Sequence, residues 1–245
     1  MFSRLDAFRK LKTFLTDDYD VLKGLLENDV NAHERFQRRE FFRRAFHALS
    51  YNGIDGDYAE FGCGKITFAL AYAESRRAKY PCHLWALDSF QGLPPLEIPV
   101  DLHPMWVEGL MCTSLEEFRD TCRHNSIPES DYDVVPGFYQ DTLRNGDTST
   151  NLPSNISLAY IDCDLYSSTR LVLKFLSNRL KHGMIIALDD YFCWSKNTVS
   201  GERKAFAEFF DGHDRFSLLP YCQYSWGGMS FILEDKRLLT KAGTN

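Results

Sequence analysis

The chain has 245 residues, 44% of them hydrophobic, 14% aromatic and 25% charged, with a formal net charge of −6. That is ample for a sizeable core, and an acidic pI near 5.7 without a lysine or arginine block argues against a nucleic-acid backbone as the main partner. No stretch approaches the roughly 20 apolar residues that span a bilayer, and the N-terminus mixes charges where a secretory signal would be apolar, so neither a membrane nor an export route is expected.

The first fifty residues read as helical. Within Ala32 to Asn52, Phe36, Phe41, Phe42, Ala45, Phe46 and Leu49 make one apolar stripe with arginines beside it. The turn residues from Asn52 to Asp57 end it. From Asp57 onward the pattern changes. Strands are predicted at Asp57 to Gly62, Cys82 to Asp88, Asp131 to Gly137, Ile156 to Asp162 and Gly183 to Asp190. Helices are predicted at Ile66 to Lys79, Ser114 to Asn125, Tyr166 to Lys181 and Gly201 to Phe210. Strands alternating with helices build a parallel sheet covered on both faces, a doubly wound α/β unit. The last two apolar segments, Arg215 to Gln223 and Trp226 to Glu234, lie too close for a parallel crossover and should form an antiparallel hairpin on one edge. No repeat or long linker divides the chain. The expected organisation is a helical cap over residues 1–52 joined to an α/β unit over residues 53–245. The seven cysteines (Cys63, Cys82, Cys112, Cys122, Cys163, Cys193 and Cys222) are odd in number and include no C-x-x-C pair, which fits reduced thiols in a cytoplasmic protein better than disulfides or a zinc site.

In open parallel sheets ligands bind beyond the carboxyl ends of the strands, and four of the five strands end in residues suited to that place. The first ends in Glu60-Phe61-Gly62-Cys63-Gly64, an E-x-G-x-G turn that presents a helix N-terminus to a ligand. The second ends in Asp88 and Ser89, where Rossmann-like proteins hold ribose hydroxyls, or where an acid caps the next helix. Together they point to an adenosine-containing cofactor. The fourth ends in Asp162-Cys163-Asp164 and the fifth in Asp189-Asp190. Asp162, Asp189 and Asp190 can converge, since adjacent strands lie about 4.8 Å apart. Carboxylates that close repel unless a cation sits among them, and an all-oxygen set favours Mg²⁺ first, with Mn²⁺ or Ca²⁺ as alternatives. The plainer reading makes Asp164 and Asp190 helix caps. It suits one acidic strand end better than two neighbouring ones.

The runs "GDYAEFG", "LDSFQGLP", "VPGFYQDTL", "AYIDCDLYSSTRLVL" and "IIALDDY" occur in an order, from about Arg38 to Phe210, that resembles the macrocin O-methyltransferase-like (TylF-type) family of class I S-adenosylmethionine-dependent enzymes. The resemblance implies a Rossmann-like, mostly parallel seven-stranded sheet with a C-terminal antiparallel hairpin. It also implies methylation of a hydroxyl on a sugar, polyol or related natural product with S-adenosylmethionine and Mg²⁺. By position it implies Asp162, Asp189 and Asp190 as metal ligands and Asp164 as general base. Glu60, Gly62, Asp88 and Ser89 fall in the cofactor site, and Gly137 and Phe138 near the adenine. Cys63-Gly64-Lys65-Ile66-Thr67 departs from the family's usual glycine-rich turn and is closer to the generic E-x-G-x-G. The segment Pro94 to Thr113, with His103, Trp106 and Met111, matches no pattern and is expected to shape the acceptor pocket. Chemically, a metal on two adjacent substrate oxygens would lower a hydroxyl pKa so that a carboxylate such as Asp164 takes the proton.

Two other readings stand beside this one. A D-x-D after an apolar strand also occurs in metal-dependent glycosyltransferases, though the second acid pair fits them less well. A non-catalytic protein could keep the fold, though it has no reason to keep crowded carboxylates. Aromatic character in the N-terminal helices makes a homodimer an expectation as well.

Overall fold

A computed structural model of the chain describes residues 30–64, 66–143 and 151–241. Residues 1–29 of the expected helical cap, and Lys65 of the glycine loop, lie outside the described residues. The described part of the cap is helix α1 (Val30–Tyr51). Its apolar stripe turns inward as the spacing predicts: Phe41, Phe42, Ala45, Phe46 and Leu49 are buried. Phe41 stacks on Tyr224 with ring centroids 4.4 Å apart. Phe42 lies edge-on to Tyr58 at 5.8 Å and beside Tyr160 at 5.3 Å. These aromatic residues are therefore used within the chain's own core, and only Phe36 and Tyr51 of this helix remain as exposed aromatic surface for the homodimer that its composition suggests.

The elements that follow are β1 (Asp57–Phe61), α2 (Thr67–Arg77), β2 (Leu84–Asp88), α3 (Leu115–His124), β3 (Tyr132–Pro136), the single turn α4 (Tyr139–Thr142), β4 (Ile156–Ile161), α5 (Tyr166–Leu176), β5 (Ile185–Leu188), α6 (Gly201–Phe210), β6 (Phe216–Tyr224), β7 (Gly228–Asp235) and α7 (Lys236–Lys241). The sheet has seven strands in the order β3-β2-β1-β4-β5-β7-β6. Strands β1 to β5 pair in parallel, while β7 runs antiparallel to β5 and β6 antiparallel to β7, so the expected hairpin forms and closes one edge. The order reverses between β1 and β4, which opens a crevice at their carboxyl ends. Strand β4 reads Ile-Ser-Leu-Ala-Tyr-Ile and is buried along its whole length, as a central strand covered on both faces must be. One apolar layer packs beneath α1, α2 and α3, the other beneath α5 and α6.

Two helix ends show what local chemistry decides. Ser114 caps α3 in a reciprocal capping box with Glu117. Helix α5 stops at Leu176, five residues short of the predicted Lys181. The Arg179 guanidinium donates to Phe175 O at 2.7 Å, a carbonyl that a further turn would have used, and ties the helix end to the loop before β4 through Pro153 O at 2.8 Å. Among the described residues no helix is long and apolar enough to cross a membrane, and all seven cysteines are unbridged.

Candidate active site

The carboxyl ends of the parallel strands are joined by backbone bonds that run past the strands themselves. Gly62 N–H donates to Leu87 O at 3.0 Å, Gly137 N–H to Asp88 O at 2.8 Å, Asp162 N–H to Phe61 O at 2.8 Å and Asp189 N–H to Ile161 O at 2.9 Å. Four sequence-identified positions are thereby brought to one edge of the sheet. Above them lies a cavity of about 360 Å³, in the range of small-molecule sites. Its wall contains Gly62, Cys63 and Gly64 after β1, Asp88 and Ser89 after β2, Gly137 and Phe138 after β3, and Asp162 and Asp164 after β4. Leu93, Pro94, Met111, Cys112 and Thr113 close it from the unmatched segment, and Ser168 from the start of α5. Asp101 pins that segment: its buried carboxylate accepts from Ser167 N at 3.1 Å and Ser167 Oγ at 2.7 Å. A small adjoining pocket places His103, Trp106 and Val199 beside Asp164.

Gly62 has φ +88°, and a Cβ there would lie 1.7 Å from the Asp162 carbonyl oxygen. Only glycine lets β1 pass this close to β4. Gly62→Ala is expected to cost about 3 kcal/mol or more, a fall in Tm of roughly 10 °C by scanning fluorimetry. A shift under about 2 °C would mean that the strand ends relax freely. Gly64 is different: a Cβ there meets nothing nearer than Thr67 Oγ1 at 3.9 Å, so the loop offers open backbone to a ligand.

Asp88 lines the cavity, but its oxygens already accept backbone N–H bonds from Cys63 at 2.6 Å and Phe90 at 2.5 Å. It holds the glycine loop in place and caps no helix, since the next helix begins only at Leu115. Burial raises its pKa, against the pull of those N–H bonds. Glu60 departs from the sequence expectation. It is fully buried on the α1 side of the sheet, below the cavity and not on its wall, because it shares a strand face with Tyr58, whose hydroxyl donates to Glu60 Oε2 at 2.5 Å. Its other oxygen, Oε1, has no partner among the described residues, and burial raises its pKa strongly.

The three acids expected to converge do not form one group. Among the described residues no three His, Cys, Asp or Glu side chains are placed to hold a metal ion. Asp189 and Asp190 are consecutive, so their side chains leave the strand in different directions. Asp189 turns toward α1, where Arg38 clasps both oxygens, Nε to Oδ1 at 3.1 Å and Nη2 to Oδ2 at 2.6 Å, and the Tyr160 hydroxyl also donates to Oδ1. Burial draws the Arg38 pKa down, but the bond and charge of Asp189 outweigh it and the guanidinium stays charged. Asp190 instead faces Asp164, close enough for the two carboxyls to share a proton. Burial first, and then the neighbouring acids, push Asp162 and Asp190 well above the usual carboxylate range, and burial lifts Asp164 to about 7. Asp164 also sits at φ +61°, a left-handed backbone that costs a non-glycine residue about 1 kcal/mol.

Three participants escaped the sequence reading. Arg38 looked like an ordinary polar neighbour of an apolar stripe, and Tyr160 like one more core residue of β4. Glu202, in the first turn of α6, carries no motif that singles it out. It is fully buried between the ends of β4 and β5, and burial, then the charge of Asp190, raises its pKa strongly.

Known proteins resemble this chain in sequence and in fold. The family model for macrocin-O-methyltransferase (TylF) matches residues 33–214. The chain is 29% identical over 152 residues to the 8-demethyl-8-(2,3-dimethoxy-alpha-L-rhamnosyl)-tetracenomycin-C 4'-O-methyltransferase of Streptomyces olivaceus, a match covering 57% of this chain and 54% of that protein. It is 26% identical over 173 residues to the demethyldecarbamoylnovobiocin O-methyltransferase of Streptomyces niveus, covering 66% of this chain and 63% of that one. The matches thus span less than two thirds of either relative. Similar folds are seen in the O-methyltransferase NovP (TM-score 0.63, 22% identity, 81% of this chain and 80% of that one) and the calicheamicin methyltransferase CalS11 (0.62, 18%, 95% and 94%). An O-methyltransferase from Bacillus cereus in complex with SAH is also similar (0.51, 11%, 87% and 89%).

Proposed function

Since the chain belongs to the macrocin-O-methyltransferase (TylF) family, we propose that it is an S-adenosylmethionine-dependent O-methyltransferase acting on a hydroxyl of a sugar, polyol or related natural product. The observation that carries this reading is the position of Asp164: it stands on the wall of the cavity lined by Gly62, Gly64, Asp88 and Gly137 and also on the small pocket beside His103 and Trp106. A carboxylate there reaches a ligand held in the larger cavity; the small pocket, about 10 Å³, has room for no more than a water-sized group, so an acceptor would have to open it or approach past it. One Streptomyces relative is named for 4'-O-methylation of a rhamnosyl-tetracenomycin and the other for O-methylation of demethyldecarbamoylnovobiocin, which supports a small hydroxylated acceptor.

When bound, S-adenosylmethionine supplies an electrophilic methyl group. The chain supplies the rest. The open backbone at Gly64, together with Ser89 and Phe138, would hold and orient the cofactor, leaving Asp164 to accept the acceptor's hydroxyl proton. The segment from Pro94 to Thr113, pinned by Asp101, would exclude water and select the acceptor. We extend the proposal to Mg²⁺. The site is rich in oxygen donors and over-supplied with negative charge, and Asp162 and Asp190 are the residues that would hold a hard dication; it would supply the positive charge that this crowding lacks. Asp189 is occupied by Arg38 and is left out of that set. A non-catalytic protein would have no use for a left-handed Asp164 among repelling carboxylates.

Calorimetry tests the reading. S-adenosylhomocysteine is expected to bind one site per chain with micromolar affinity, and nucleotide sugars, as the glycosyltransferase control, are expected not to bind. Absence of S-adenosylhomocysteine binding with and without Mg²⁺ would end it.

A further inference from the structure

Glu202 plays no part in the chemistry above, yet it touches the backbone of both acidic strand ends. Its Oε1 accepts from Cys163 N at 3.1 Å, the amide between Asp162 and Asp164, and its Oε2 accepts from Asp190 N at 3.0 Å. The last backbone bond between the ends of β4 and β5 is Asp189 N–H to Ile161 O at 2.9 Å; beyond it Glu202 accepts from one backbone N–H of each segment, beside the contact of Asp164 with Asp190. The rest of the first turn of α6 is fitted to the same place. Ser200 Oγ donates to Asp190 O at 2.6 Å and accepts from Arg203 N, capping the helix. Gly201 lies so close to the turn after Asp164 that a Cβ would stand 2.6 Å from Tyr166 N.

We propose that Glu202 is a positioning residue: its carboxylate sets the separation between the Asp162–Asp164 segment and Asp190, and so the geometry of the acids that receive the cation. Two donors facing one buried side chain explain why the residue is a glutamate. An apolar residue would orphan two buried N–H groups at about 1–3 kcal/mol each. A glutamine would turn an NH₂ toward one of them. A further negative charge beside Asp190 is unfavourable for stability, and the helix N-terminus offsets it only in part. Its return is the fixed distance between two strand ends. Partners that orient metal-binding side chains in this way typically change metal affinity about 10- to 100-fold when replaced.

The inference rests on the Mg²⁺ reading, and Mn²⁺ titration followed by electron paramagnetic resonance, in the presence of S-adenosylhomocysteine, separates the two. Glu202→Gln is expected to weaken Mn²⁺ at least tenfold while S-adenosylhomocysteine affinity stays within about twofold. Glu202→Asp keeps the charge but shortens the arm, and it is expected to weaken Mn²⁺ at least fivefold as well. Leu176→Ala, a buried truncation at the far end of α5, is the control for lost stability alone and should leave Mn²⁺ affinity unchanged. Wild-type affinity in Glu202→Asp with loss only in Glu202→Gln would mean that Glu202 acts through charge and would overturn the proposal, as would unchanged affinity in both. No Mn²⁺ binding by the wild type would end the metal reading and this inference together, while bound S-adenosylhomocysteine would keep methyl transfer standing.

Discussion

Asp164→Asn is expected to bind S-adenosylhomocysteine as the wild type does and to turn over about 10³-fold more slowly, the loss that follows if Asp164 is the general base. The substitution is sterically mild, because asparagine tolerates the left-handed φ of +61° as readily as aspartate. From residue type alone a carboxylate near pKa 3.9 is a weak base. The fold changes that, since burial lifts Asp164 to about 7. A base must be ionised to act, so without a dication turnover should climb with pH through a limb near 7 that belongs to the coupled Asp164 and Asp190 pair, and a dication bound at Asp162 and Asp190 should move that limb to lower pH. Stability should move the other way. An acid whose folded pKa is raised binds more protons folded than unfolded between about pH 4 and 7, so its contribution is present below that window and lost as pH rises through it. At pH 8 Asp164→Asn should therefore be more stable than the wild type, by on the order of 2 kcal/mol in urea. A variant that gains stability while losing turnover marks a residue kept for chemistry. Turnover within threefold of the wild type, measured as S-adenosylhomocysteine release on a sugar acceptor, would remove Asp164 from the base role.

The architecture was legible because periodicity and strand-end chemistry are local. The alternation of strands and helices, the C-terminal hairpin and the inward stripe of α1 all follow from spacing within a single element. Gly62, Asp88, Gly137 and Asp162 could be placed at one edge because each ends a parallel strand. What a carboxylate does there is not local. Asp189 and Asp190 are identical in type and adjacent, yet one is held by an arginine 151 positions away and the other faces Asp164. Glu60 looked like a ligand-facing residue but shares its strand face with Tyr58, under the sheet. Glu202 was invisible for the same reason: its donors, Cys163 and Asp190, come from two different strands. Composition shows that acids crowd this edge; the packing of α1 and α6 decides which are free to work.

Arg38→Met is expected to destabilise the protein by about 3–5 kcal/mol, because it leaves Asp189 buried without its counter-charge. Asp189 is about 6% exposed, and Arg38 reaches it from α1, whose phenylalanines pack against Tyr160 and Tyr224 directly beside the pair. Loss of the pair therefore strikes the docking of α1 as well as the acid. Met keeps much of the aliphatic length of the arginine, so packing alone predicts a far smaller loss. A double-mutant cycle separates the terms: Arg38→Met with Asp189→Asn removes the orphaned charge and should recover at least half of the loss, with a coupling of about 2 kcal/mol or more. The same cycle decides what Asp189 is for. If Arg38 is its only cationic partner, saturating Mg²⁺ leaves the Arg38→Met urea midpoint where it was. If the dication takes the place of the guanidinium, Mg²⁺ restores the midpoint in Arg38→Met and not in the double mutant, and Asp189 rejoins the metal-binding acids. A single mutant within about 0.5 kcal/mol of the wild type would show that the pair is too well solvated to anchor α1 at all.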